Sequence, residues 1–209
     1  MSQPALVLLL ALGFAAAVTV VIATAASARR TRFARGILTL MVSAALLILG
    51  NLIAGAGLRL NASASIPPGI YRFTGISPHE IRRGMLVAVC APSGAAQLGR
   101  RRGYVSSGEC AENSEPLLKT VAAVAGDDIA ISPGGVSVNA RLLRDSTPLV
   151  FDRAGRPLIS WPRGHFRISR GAIWLHSDHE RSWDSRYWGP VPARNVLARA
   201  VPMIINVHR

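Results

Sequence analysis

Two uncharged apolar runs at the N-terminus constrain this chain more than any other feature. Pro4 to Ala26 is 23 residues without a charge, and Gly36 to Leu58 is a second run of 23. As helices, each would reach about 34 Å, enough for a hydrocarbon core of roughly 30 Å. Both are apolar on every face, which disfavours a soluble helical hairpin. Arg29, Arg30, Arg32 and Arg35 lie between them. Four arginines in a short connection place that connection in the cytoplasm. The expectation is an N-terminal transmembrane helical hairpin over residues 1–58, with everything after Leu58 outside. A cleaved signal peptide is the competing reading: Ala26-Ser27-Ala28 has small residues at the right spacing, but no cation precedes the first run, as a signal peptide's n-region requires.

Residues 59–209 read differently. Short apolar runs (Met85–Val89, Val121–Val124, Ile129–Ile131, Val136–Val138, Ala172–Leu175) alternate with Pro, Gly and Ser. Such lengths with turn signals between them predict strands, and no long helical periodicity follows Leu58. About 150 residues can bury one core. The fold class expected is therefore mostly β and antiparallel on a membrane anchor. The chain carries a formal charge of +13. Its arginines are scattered, and the one tight run, Arg100–Arg102, lies in a Gly/Ser-rich stretch that reads as loop. A basic outer surface near anionic lipid accounts for the charge better than nucleic-acid binding. Cys90 and Cys110 both fall in the outer part, where an oxidising compartment allows a disulfide; two free buried thiols are the alternative. Two cysteines are too few for a structural zinc site of the usual kind.

Among 24 basic residues only one, Lys119, is a lysine. Arginine stays protonated in proteins, whereas a lysine buried beside apolar groups can lose its proton and serve as a general base. Lys119 lies in Leu117-Leu118-Lys119-Thr120-Val121-Ala122-Ala123. If its side chain points inward, desolvation lowers a pKa that is ordinarily about 10.4; on the solvent face of an edge strand it would have no such role. Two further segments carry reactive groups. In Asn61-Ala62-Ser63-Ala64-Ser65-Ile66-Pro67-Pro68-Gly69-Ile70-Tyr71, the serines share a face of an extended strand and a rigid turn follows. Ser177 to Pro192 is the densest polar and aromatic stretch, with Asp184 and Arg186 spaced to pair.

Together these three segments resemble the membrane-bound signal peptidases of the Ser/Lys type. Ser65-Ile66-Pro67-Pro68 is similar to their nucleophile box, Lys119-Thr120 with Gly126-Asp127 to their base box, and Ser182-Trp183-Asp184-Ser185-Arg186-Tyr187-Trp188-Gly189 to their final box. Asn61 to Tyr71, and Arg102-Gly103-Tyr104 through Pro116-Leu117-Leu118-Lys119, resemble more closely the branch serving conjugative transfer, the TraF-type pilin-maturation peptidases. The resemblance covers Asn61 to Ala200. One departure stands out: the Gly-Asp-Asn that opens the final box in the family reads His176-Ser177-Asp178 here, so the roles of that glycine and asparagine do not carry over.

The resemblance implies a signal-peptidase-like β catalytic domain in the periplasm of a bacterium, held at the inner membrane. Ser65 would be the nucleophile and Lys119 its base. Ser63 and the Ser65 N–H would form an oxyanion hole, Ser182 would orient the lysine, and Asp184 and Arg186 would form a structural ion pair. It implies no cofactor or metal. The substrate would be a pilin-like precursor with small residues before the scissile bond, either hydrolysed or cyclised, and secretion-system components would be partners. A general type I signal peptidase and a non-catalytic, membrane-anchored part of a secretion channel are the alternatives. A Ser-His-Asp site using His176 or His179 with Asp178 lacks a Gly-x-Ser-x-Gly elbow. His176-x-x-His179 has no third marked metal ligand, and both histidines read as surface or loop residues. Ser65 follows Leu58 by seven residues, at most about 25 Å of chain, which predicts a nucleophile near the outer membrane–water boundary.

Overall fold

The computed structural model describes residues 31–205. The chain divides into two compact units, Met1–Ala56 and Gly57–Arg209. In the first, helix α1 (Thr31–Gly55) runs for 25 residues. It includes Arg32 and Arg35, which the sequence placed in a loop. It ends before Leu58, because Gly57 turns the chain: its carbonyl accepts from Phe73 N–H at 2.8 Å and its φ is +69°. Leu40, Leu46, Leu47 and Ile48 of α1 are exposed. Among the described residues no helix is long and apolar enough to cross a membrane, and the first run of the expected hairpin, Pro4–Ala26, lies outside the described residues.

The second unit is built from antiparallel strands, as expected. In chain order they are β1 (Leu58–Asn61), β2 (Gly69–Thr74), β3 (Leu86–Val89), β4 (Ser107–Cys110), β5 (Leu117–Ala123), β6 (Asp128–Ser132), β7 (Gly135–Val138), β8 (Arg141–Leu142), β9 (Gly164–Arg167), β10 (Ala172–His176), β11 (Val191–Pro192) and β12 (Val196–Ile205). Seven form one sheet in the order β1-β2-β12-β3-β5-β10-β11, and four form another in the order β8-β7-β6-β9. Two short helices complete the unit, α2 (Ser93–Arg102) and α3 (Ser185–Trp188).

Strand β5 lies inside the large sheet, between β3 and β10. Its burial alternates with the two-residue period of a strand, so Lys119, Val121 and Ala123 share the covered face. Val121 packs with Val87, Val89, Ile173, Leu175 and Val191 in one core. Ala123 joins Ile129, Ile131, Val136, Val138 and Trp174 in a second core under the small sheet. Each fully buried Val or Leu contributes about 1.5–3 kcal/mol of transfer free energy.

Helix α2 corrects the reading of the Arg100–Arg102 stretch as loop. Two glycines and a serine weaken its helical signal, but tertiary contact overrides propensity: Ala96 and Gly99 are buried. The three arginines occupy its last turn, where cations complement the helix dipole. Gly103 closes it at φ +74°, donating to Arg100 O and preceding a Tyr104 N–H that caps Gly99 O. The segment that follows is held by a disulfide between Cys90, just past β3, and Cys110, with Cα atoms 5.5 Å apart.

Candidate active site

The serine segment is a turn between β1 and β2, whose strands pair from Leu58↔Arg72 to Asn61↔Gly69. Gly69 is required there. Its φ is +158°, and a Cβ would meet the Ile204 carbonyl oxygen of β12 at 2.2 Å. Ile66 is buried against Tyr71 and Ala200, with Leu86 and Leu118 beside them. The residue after Ser65 is thereby pinned next to the strand that carries Lys119. The Tyr71 hydroxyl donates to Pro67 O at 2.6 Å. Ser65 is half-buried and Ser63 exposed. Both line a cleft of about 870 Å³ that Lys119, Tyr104, Trp183 and Tyr187 also line.

Lys119 is only 2% exposed. It pairs with Val87 of β3, so the solvent-facing edge-strand alternative does not hold. Burial pushes its amine down to about 8; the Asp184 carboxylate partly opposes this by favouring the ammonium, and Arg186 adds to the lowering. Asp184 and Arg186 are completely buried and joined bidentately, Nε to Oδ1 and an amino nitrogen to Oδ2, both at 2.8 Å. The remaining guanidinium donors reach the carbonyls of Asp145, His179, Glu180 and Ser182. Arg186 therefore holds the 179–184 loop from beneath, and burial without such satisfaction would be costly. Ser182 is 1% exposed, and its hydroxyl has no hydrogen-bond partner among the described residues.

His176 is not a surface or loop residue. It ends β10, is 3% exposed, and its Nε2 donates to Arg144 O at 2.8 Å. Its Nδ1 lies 3.8 Å from Asp184 Oδ2. That bond leaves Nδ1 as the accepting nitrogen, but Nδ1 faces Asp184, and His176 is not among the residues lining the cleft with Ser65, so it is not placed as a base for Ser65. His179 sits in the loop beyond and lines the cleft. Among the described residues no group of three or more His, Cys, Asp or Glu could hold a metal ion.

Sequence reasoning missed the far side of the cleft. The Tyr104 hydroxyl donates to Asp152, which also accepts from Arg156 Nε at 2.6 Å. These bonds, with the Phe151↔Pro157 bridge, hold a small hairpin against the end of α2. Trp183 stacks on Tyr187 and contacts Tyr104. Tyr104 and Asp152 lie 48 residues apart, so no local pattern could have shown the pairing.

A family model described as "Signal peptidase, peptidase S26" matches residues 5–205. A plasmid transfer protein TraF of Escherichia coli is 35% identical over 175 residues, 83% of this chain and 96% of that protein. A probable conjugal transfer protein TraF of Sinorhizobium fredii is 36% identical over 148 residues, 69% of this chain and 75% of its own length. The conjugal transfer protein TraF of Agrobacterium fabrum is 31% identical over 172 residues, 81% of this chain and 96% of that protein. A β domain with a buried lysine and two serines in one cleft accords with these matches, and the chain belongs to the signal peptidase family, peptidase S26, among relatives that are conjugal transfer proteins of the TraF type.

Proposed function

We propose that this chain is a membrane-bound serine endopeptidase with a Ser65/Lys119 dyad that processes a pilin-like precursor in a conjugative or type IV secretion system. One observation carries the reading: the only lysine lies on the covered face of an interior strand, 2% exposed, and lines the same cleft as Ser65. A serine hydroxyl is a weak nucleophile until a neighbour takes its proton, and a lysine near pKa 8 is neutral in about one molecule in ten at pH 7.

In this mechanism the Lys119 amine accepts the Ser65 proton as Oγ bonds to the scissile carbonyl carbon. The carbonyl oxygen becomes an oxyanion, held by the Ser65 N–H and the Ser63 hydroxyl. The Lys119 ammonium then returns its proton to the leaving nitrogen as the C–N bond breaks, leaving an ester on Ser65. Water, deprotonated by the same amine, resolves that ester. The N-terminus of the substrate's own chain, in place of water, would instead close a ring. Asp184 and Arg186 hold the loop bearing Ser182, whose unpartnered hydroxyl is available to orient the amine.

The periplasmic placement, at a bacterial inner membrane, rests on the arginines between the two apolar runs and on the exposed leucines of α1. The first unit, Met1–Ala56, is then the anchor and the second, Gly57–Arg209, the peptidase domain, since Leu58 already belongs to β1. The test is the mass of the pilin subunit from cells carrying wild-type or Ser65→Ala protein. Trimmed pilin with wild type and full-length precursor with Ser65→Ala support the reading. Identical trimming in both removes Ser65 from the chemistry and favours a structural role in the channel. A trimmed subunit lighter by one water than the linear chain would show cyclisation.

A further inference from the structure

The proposed chemistry requires Ser63 to donate a hydrogen bond to the oxyanion, but the Ser63 proton is already engaged. Its Oγ lies 2.8 Å from Asn61 Oδ1, which also accepts from the Ser63 N–H at 3.2 Å. The orientation of the Asn61 amide is set by its other end. Nδ2 faces three backbone carbonyls, those of Ser63, Ile66 and Pro67, at 3.2, 3.0 and 3.3 Å. A carboxamide oxygen turned toward those carbonyls would face only acceptors, so Oδ1 must face Ser63. Oδ1 has no protons, so the hydroxyl is the donor in that bond. A hydroxyl has one proton; while it points at Asn61, Ser63 shows an oxyanion only lone pairs.

Asn61 is 9% exposed, and its amide is saturated with partners. It closes the 61–67 segment on itself from the last residue of β1, and shares the Pro67 carbonyl with Tyr71. Ser65 lies inside the loop so closed. Resting on the peptidase reading above, we propose that Asn61 is the positioning residue of the nucleophile turn. Its amide holds the backbone around Ser65 and fixes the Ser63 side chain, whose hydroxyl turns from Asn61 to the oxyanion when a tetrahedral intermediate forms. The hydroxyl redirects its one proton by rotating, and Ser63 keeps that proton throughout. The Ser63 N–H stays on Oδ1, so the oxygen remains in place during the turn. Asn61 is not a catalytic residue; the part of its effect that passes through the Ser63 hydroxyl should vanish when Ser63 has no hydroxyl.

The test is the kcat cost of Ser63→Ala in different Asn61 backgrounds, measured with the full-length enzyme in detergent micelles and a precursor-derived peptide. In wild type, losing an oxyanion donor should lower kcat about 10²-fold with little change in KM. In Asn61→Asp, a carboxylate holds the hydroxyl more firmly, because hydrogen bonds to charged acceptors are stronger. Ser63→Ala should then cost less than about threefold. In Asn61→Ala the hydroxyl rotates freely and loses the preorganisation that gives such donors their value, so the cost should again shrink. This second variant serves if Asn61→Asp does not fold, as judged by thermal melting. An Asn61 that merely braces the backbone would leave the cost near 10²-fold in both backgrounds, which overturns the proposal. So does a Ser63→Ala variant with wild-type kcat. If the wild type is active and Ser65→Ala is not, those failures leave the peptidase reading intact. If the wild type and Ser65→Ala cleave equally or not at all, the reading itself fails and the proposal falls with it.

Discussion

Replacing Lys119 with methionine should make this protein more stable at neutral pH while abolishing its activity. Methionine has a similar unbranched length and no charge, so it can fill the same covered position. The buried amine has its pKa lowered from 10.5 to about 8, chiefly by desolvation. The folded state therefore binds fewer protons than the unfolded chain between those values, and stability rises with pH across that window. Below about pH 8 both states hold the proton, and the folded protein bears the full cost of a buried ammonium. A depression of about 2.5 units corresponds to about 3 kcal/mol. For a unit of about 150 residues that amounts to about 6–12 °C in Tm. All four tryptophans (Trp161, Trp174, Trp183 and Trp188) lie in the second unit, so fluorescence melts report it directly. Lys119→Met should melt above wild type at pH 7, and the gap should close as pH rises from 8 toward 10.5. A variant that melts at or below wild type at pH 7, or a gap independent of pH, would refute the buried-amine argument. Activity supplies the matching curve: wild-type kcat/KM should climb through an apparent pKa of about 8 as the neutral amine accumulates.

Replacing Cys90 and Cys110 together with alanine should cost about 3 kcal/mol, given their separation of 20 residues; thiol labelling of denatured, non-reduced wild type should find neither cysteine free, and labelling of both would count against the bond. Asp184→Asn leaves the Arg186 guanidinium buried without its carboxylate and should destabilise by about 3–5 kcal/mol. Because Asp184 favours the Lys119 ammonium, the same change should move the activity midpoint to lower pH, and an unmoved or raised midpoint would contradict that coupling. A flexible spacer of about ten Gly/Ser residues between Gly55 and Ala56 should sharply reduce cleavage of a membrane-bound precursor and spare a short soluble peptide. Placed at Leu60 it would break the Leu60↔Ile70 pair of β1 and β2, so loss on both substrates there would report only on the fold.

Much of the site was legible because its signals are local. A single lysine among 23 arginines, two serines spaced by one residue ahead of Pro-Pro-Gly, and the Asp184–Arg186 spacing depend only on neighbours along the chain. The antiparallel strands were legible for the same reason, since short apolar runs between turn residues declare themselves. The periodicity of β5 put Lys119 on the same face as Val121 and Ala123, but periodicity cannot say whether that face is covered. Tertiary packing decided it: the sheet order makes β5 an interior strand, and the buried segment bearing Asp184 and Arg186, far along the chain, comes close to the Lys119 amine on its covered face. Three other features needed the folded chain. Helix α2 forms in a weakly helical sequence because burial of Ala96 and Gly99 outweighs propensity. His176 is buried because it ends a strand packed against Arg144 and Asp184. The Ser63 proton points at Asn61 because three carbonyls, gathered by the turn, dictate which way one amide faces. Residue types and spacing determined which groups are present; the meeting of distant strands and the competition for single protons decided what those groups are free to do.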